Sequence, residues 1–95
     1  MNNNEELELK KKIERGNKAD QILKDPLIKE AIQNMKNAVY HNIETSSYRQ
    51  TKQREELYRM LKTIEHFQSQ FEQMVNGKKK AESMLTMLLN KARGV

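Results

Sequence analysis

Cysteine and tryptophan are absent from this chain of 95 residues, and proline and glycine are scarce. Without cysteine, the chain can form neither disulfides nor thiolate metal sites, and cysteine catalysis is excluded. One proline and three glycines are too few for a protein built from strands and tight turns, and the alternation of apolar and polar residues that marks strands is missing. These absences favour an all-α protein.

Long hydrophobic runs are also missing. No apolar stretch approaches the roughly 18–20 residues that a membrane-spanning helix needs. The first residues, MNNNEELELKKK, are polar and acidic before they become basic, whereas a secretory signal begins with basic residues and continues with an apolar stretch. We therefore expect a cytoplasmic protein without a membrane partner.

Apolar residues make up only 36% of the chain, and the mean hydropathy is −0.99. A monomer of this size removes only about 60–65% of its unfolded surface from water. Helices with narrow apolar stripes usually need a neighbouring helix to cover them. The composition therefore predicts a homo-oligomer or a subunit of a larger protein assembly.

The chain divides into three segments, the first of which is a charged, helical segment over residues 1–24. Acidic residues crowd its start and basic residues follow, an order that suits the helix dipole. The pattern predicts a helix over about residues 4–15, which Gly16-Asn17 should end. A short apolar stripe over residues 19–23 can add one more turn.

Residues 25–76 are expected to form an antiparallel helical hairpin. Asp25 can cap the first helix and Pro26 suits its first position. Ser47 or Thr51 can cap the second helix, and Gln50 lies three residues after Ser47, as a capping box requires. The short link predicts antiparallel neighbours. The apolar residues that recur every three or four positions should hold the hairpin together: Ile28, Ile32, Met35, Val39, Leu57, Leu61, Ile64 and Phe71.

The third segment, residues 77–95, is basic and helical. Two arrangements are open at Gly77: one long helix passes through it, or a third helix follows it. Both are possible because a glycine inside a helix lowers the stability of the helix by only about 1 kcal/mol. The apolar stripe continues beyond it, and methionine is common at adaptable interfaces. The expected interface residues, which dock on a neighbour or fold back, are Met84, Leu85, Leu88 and Leu89.

Most of the net charge of +5 lies in this third segment, which holds five bases and one acid. Such a basic end suits an anionic partner, DNA included, although it can equally be a solvated, solubilising tail. Neither a helix-turn-helix nor a platform of stacking aromatics is visible, so base reading is not expected. The candidate phosphate contacts are Lys78, Lys79, Lys80, Lys91 and Arg93.

No pattern of residues indicates catalysis. Neither His41 nor His66 has the glutamate three residues earlier that a di-iron bundle requires. Gly77 and Lys78 do not fit a phosphate-binding loop, because residue 72, where the loop needs another glycine, is glutamate. The serines lack the flanking glycines of a nucleophile elbow. We expect a non-enzymatic protein with no catalytic residue, metal site, cofactor or small-molecule substrate.

Three stretches within residues 25–85, DPLIKEAI, REELYRMLKTIEHF and GKKKAESML, resemble small phage-encoded helical hairpin proteins. The resemblance implies a non-enzymatic role in head assembly or DNA packaging, in the host cytoplasm or the virion. The small terminase subunit, a helical ring-forming protein that hands DNA to a separate motor, is similar in general form. Its usual N-terminal helix-turn-helix is missing here, which leaves the C-terminal lysines as the DNA contact.

Two functions therefore compete at this point. The first is a phage-type structural or assembly protein that acts through helix–helix association. The second is an accessory protein that binds nucleic acid through its C-terminal lysine cluster.

Overall fold

The computed structural model describes residues 3–94, with side chains from residue 4, and this part of the chain contains helices and no strand. The helices are α1 (Asn3–Lys24), α2 (Pro26–Thr45) and α3 (Thr51–Ala92). The expectation of an all-α protein is confirmed. Of the two arrangements left open at Gly77, the structure has the single long helix, because α3 continues through this residue.

Helix α1 does not end at Gly16-Asn17, so this prediction was wrong. It continues to Lys24, and only Asp25 separates it from α2. Gly16 is buried in the middle of α1, where its missing side chain leaves room for α3. A glycine can therefore serve close packing inside a helix instead of ending it.

The start of α2 follows the prediction. The Asp25 side-chain Oδ1 accepts hydrogen bonds from the backbone N–H of Leu27 at 2.8 Å and of Ile28 at 3.3 Å. Pro26 occupies the first helical position, where its missing N–H costs nothing. The hydroxyl of Ser46 donates to the Ile43 carbonyl at 2.7 Å and closes the other end of α2.

The start of α3 follows the prediction in part. The Gln50 carbonyl accepts the first helical bond, from Arg54 N–H at 3.1 Å, so Gln50 occupies the cap position expected for Ser47 or Thr51. Ser47 contributes from outside the helix, since its N–H donates to Gln50 Oε1 at 2.9 Å. The Arg54 guanidinium donates to the carbonyls of Ser47 and Tyr48 and fixes the link.

The structure has two compact units, one of which comprises residues 24–70. In this unit Val39 of α2 packs with Leu57 and Leu61 of α3, flanked by the partly buried Ile43 and Ile64. A hydrogen bond from Lys36 Nζ to Gln68 Oε1, 2.9 Å long, also joins the two helices. Two helices cover only one side of each other, so much of their apolar surface stays outside this cluster.

Five of the eight expected hairpin residues are buried or half-buried in this unit: Ile32, Val39, Leu57, Leu61 and Ile64. Of the other three, Ile28 is 37% exposed and Met35 is 44% exposed, and Met35 lines a groove between α2 and α3. Phe71 was assigned wrongly. Phe71 belongs to the other unit, where it lines a shallow pocket with Ala19 and Ile22.

The other unit joins α1 to the last part of α3 and comprises residues 1–23 and 71–95. Its buried side chains include Leu9 and Ala19 of α1 and Ala81 of α3. Two of these three are alanines, and Gly16 is buried beside Lys78. Small residues let two helix backbones approach closely, but they bury little apolar area.

Among the described residues, no helix combines the length and the hydropathy that crossing a membrane requires.

Candidate functional site: an apolar groove with a basic rim

An open groove of about 330 Å³ lies between α1 and α3 in the unit that joins them. Leu9 of α1 and Met74, Ala81 and Met84 of α3 supply its apolar lining, and Gly77 contributes bare backbone. Met84 is 49% exposed, although its side chain is apolar. The groove therefore offers accessible apolar surface to another molecule.

Small residues account for the shape of this groove. Gly16 brings α1 against α3 at Met74 and Lys78, and Ala81 fills little of the space beside it. At Gly77, an added Cβ atom would have no neighbour within 4 Å. The close contact at Gly16 and the open space at Gly77 together leave the groove along the surface of α3.

Three cations stand at the rim of the groove: Lys12 and Arg15 from α1, and Lys80 from α3. All three are exposed. Within the described part of the chain, their side chains form no ion pair and no hydrogen bond. Their charges are therefore available to an anionic group that approaches the groove.

Sequence reasoning placed Lys80 in the candidate site but missed Lys12 and Arg15. Leu9, Lys12 and Arg15 are spaced three residues apart, so they lie on one side of α1. This spacing is the signal that was present in the sequence. The spacing alone does not indicate a groove, because the other side of the groove is formed by residues 74–84 of α3, far along the chain.

The candidate phosphate contacts do not share one environment. Lys78 is half-buried against Gly16, and its Nζ lies 3.8 Å from Glu82 Oε1. Lys79 is exposed, and Lys80 is exposed at the groove. Lys91 and Arg93 are exposed near the end of α3 and are not part of the groove lining. The structure thus places one of the five with the two cations of α1.

The candidate interface residues also separate. Met84 lines the groove and is largely accessible. Leu85, Leu88 and Leu89 are half-buried, and they belong to the same unit as α1. Their remaining exposed surface, together with Met87 at 70% exposure, leaves the last turns of α3 incompletely covered.

The unit of residues 24–70 contains a second open groove, of about 460 Å³. Met35 and Val39 of α2 and Met60 and Ile64 of α3 line it, with Arg59 as the charged member. Met60 is 54% exposed. Each of the two units therefore carries accessible apolar surface between its helices.

Metal-binding geometry is not found among residues 3–94, where no three histidine, aspartate or glutamate side chains converge closely enough to hold an ion. His66 Nε2 lies 3.4 Å from the Gln70 amide nitrogen, one turn further along α3. Glu55 and Glu56 are both exposed.

Comparison with known proteins places the chain in no family, since none of the family models, curated proteins and solved structures matches it.

Proposed function

We propose that this protein is a non-enzymatic assembly protein that acts by helix–helix association with further copies of itself. The observation that carries the proposal is the accessible apolar surface of its helices. Among residues 4–94, twelve large hydrophobic side chains are more than a third exposed, whereas the buried hydrophobic residues number seven, two of them alanines. Of these twelve, Met84 lines one groove, and Met35 and Met60 line the other; exposed apolar grooves usually mark an interaction site.

Within this proposal, α2 and the first part of α3 form an antiparallel helical hairpin. Lys36 contacts Gln68, while Val39, closer to the end of α2, contacts Leu57 and Leu61, closer to the start of α3. This reversed order is the order expected of antiparallel helices. The hairpin is one contact surface for the assembly, and α1 with the last turns of α3 is another.

The resemblance of residues 25–85 to phage-encoded helical proteins supports a biological setting for this association. The corresponding proposal is head assembly or DNA packaging, in a manner similar to a small terminase subunit, in the host cytoplasm or the virion. Lys79 and Lys80 are exposed and would supply the contact to DNA.

Thermal unfolding at several protein concentrations tests the proposal. Association of folded chains stabilises the folded state by mass action, so Tm should rise as the concentration rises. The measurement is circular dichroism at 222 nm, which follows the helices, over a hundredfold range of concentration. A Tm that is independent of concentration would contradict the proposal.

A second candidate function is binding of nucleic acid, favoured by the meeting of Lys12, Arg15 and Lys80 at one groove. Lys79→Gln with Lys80→Gln should weaken retention of DNA, and the affinity of the wild type should fall steeply with salt. Lys52→Gln with Lys62→Gln, at exposed positions of the other unit, is the matched control. Equal retention by the two double variants would remove this candidate.

A further inference from the structure

We propose that α1 pairs antiparallel with α1 of a second copy along the basic-rimmed groove, in a register set by the charges of α1. This inference rests on the proposed function and names the surface through which association occurs. The groove is thus occupied by the first half of α1 of the second copy. This half-helix carries acidic residues, whereas the groove carries basic ones.

The charges of α1 that matter lie on one face. Glu5, Glu8, Lys12 and Arg15 are separated by three, four and three residues, so they occupy a stripe about 80° wide on the helix surface. Lys12 and Arg15 line the groove, so the basic half of this stripe lies along the groove. All four side chains are exposed, and none has an ion-pair partner in the described part of the chain.

The order of these charges reads as two acids followed by two bases. When two copies of α1 run antiparallel about a two-fold axis at the level of Lys10, Glu5 lies level with Arg15 of the second copy. Glu8 then lies level with Lys12 of the second copy, because both pairs are centred on residue 10. Each pair occurs twice by symmetry, so one register gives four opposite-charge pairs and no like-charge pair among the four.

Two other cations of α1 are already paired within the helix. Lys10 Nζ is paired with Glu6 Oε1 of the same helix at 3.0 Å, and Glu6 is the less exposed of the two. Lys18 is likewise paired with Glu14, at 3.2 Å. The ion pairs within α1 thus leave the stripe of Glu5, Glu8, Lys12 and Arg15 available for contact between copies.

Apolar contact completes the interface. Met84, which is 49% exposed, lines the groove beside the stripe, whereas Leu9 and Ala81, which also line it, are already buried. Burial of the Met84 side chain supplies affinity, whereas exposed ion pairs chiefly select the partner and fix the register. The rim cation of α3, Lys80, adds attraction for the acidic first turns of the second copy.

The test exchanges the charges of the stripe in two double variants. One is Glu5→Lys with Glu8→Lys, and the other is Lys12→Glu with Arg15→Glu. Each variant alone places four like-charge pairs in the interface, whereas an equal mixture restores four opposite-charge pairs between unlike chains. Molar mass by light scattering, with helix content by circular dichroism, is measured for each variant, the mixture and the wild type.

We expect each variant alone to show half the wild-type molar mass or less, and the mixture to regain the wild-type value. A variant that alone keeps the wild-type mass, or a mixture of helical variants that fails to regain it, would overturn the inference and leave self-association through another surface intact. A wild-type mass of 11.3 kDa, that of one chain, would overturn the proposed function as well.

A milder pair of substitutions covers the case in which a charge reversal unfolds α1. Glu5→Gln with Glu8→Gln removes the charges without introducing repulsion, and it should weaken association at least tenfold at low salt. An unchanged dissociation constant for this neutral variant would also overturn the inference.

Discussion

Gly16 lies directly against Lys78, so that a Cβ atom on residue 16 would overlap the Cβ atom of Lys78. The same added atom would lie 2.8 Å from the backbone carbonyl oxygen of Met74. Backbone cannot move aside as a flexible side chain can. The close approach of α1 to α3 therefore depends on the absence of a side chain at position 16.

The two glycines inside helices should respond oppositely to alanine. Gly16→Ala should lower the free energy of unfolding by about 1–3 kcal/mol, because overpacking outweighs the helical preference of alanine. Gly77→Ala should raise the free energy of unfolding by about 1 kcal/mol, since an added Cβ atom there meets nothing within 4 Å. Urea denaturation of both variants measures the difference.

Gly77→Ala serves as the matched control because both glycines lie within helices. An equal gain in stability for both variants would show that α1 does not pack on α3 as described.

The cap of α2 provides a second prediction. Asp25→Ala removes the acceptor of two backbone hydrogen bonds and should lower the free energy of unfolding by about 0.5–2 kcal/mol. Asp25→Asn keeps an acceptor oxygen and should cost much less. Urea denaturation again provides the values, and similar losses for alanine and asparagine would mean that the cap does not act through these bonds.

The contact of α2 with α3 provides a third prediction. Leu57 is 7% exposed in the cluster with Val39 and Leu61, so Leu57→Ala should lower the free energy of unfolding by about 2–5 kcal/mol. Leu27 is 73% exposed, and Leu27→Ala should change the free energy of unfolding by less than about 0.5 kcal/mol. Thermal and urea unfolding of the two variants should separate them clearly, and a comparable loss for both would contradict the assigned core.

The link between α2 and α3 provides a fourth prediction. Arg54 donates to the carbonyls of Ser47 and Tyr48, so Arg54→Gln should free the link. Hydrogen exchange at the amides of residues 49 and 50 should become several times faster, whereas Arg59→Gln, in the same helix, should leave it unchanged. Identical exchange in the two variants would show that Arg54 does not hold the link.

Local signals in the sequence predicted those features that depend on neighbouring residues. Asp25 and Pro26 marked the start of α2 because a cap acts through atoms two or three residues away. The spacing of Val39, Leu57 and Leu61 predicted their burial, because one face of each helix must be covered.

Features that depend on distant residues were not predictable in the same way. Gly16 was expected to end a helix, yet its neighbour Lys78 is 62 positions away, and that contact decides its role. Phe71 was assigned to the wrong partner because the apolar stripe of α3 is continuous. The stripe belongs to one unit with α2 up to residue 70 and to one unit with α1 from residue 71. Lys12 and Arg15 belong to the candidate site because α3 lies beside α1 and forms the other side of the groove.

Sedimentation equilibrium of the wild-type protein over a range of concentrations tests the central claim most directly. The account predicts an average molar mass that rises with concentration to at least twice the 11.3 kDa of one chain. A molar mass that stays at 11.3 kDa up to the highest soluble concentration would contradict it.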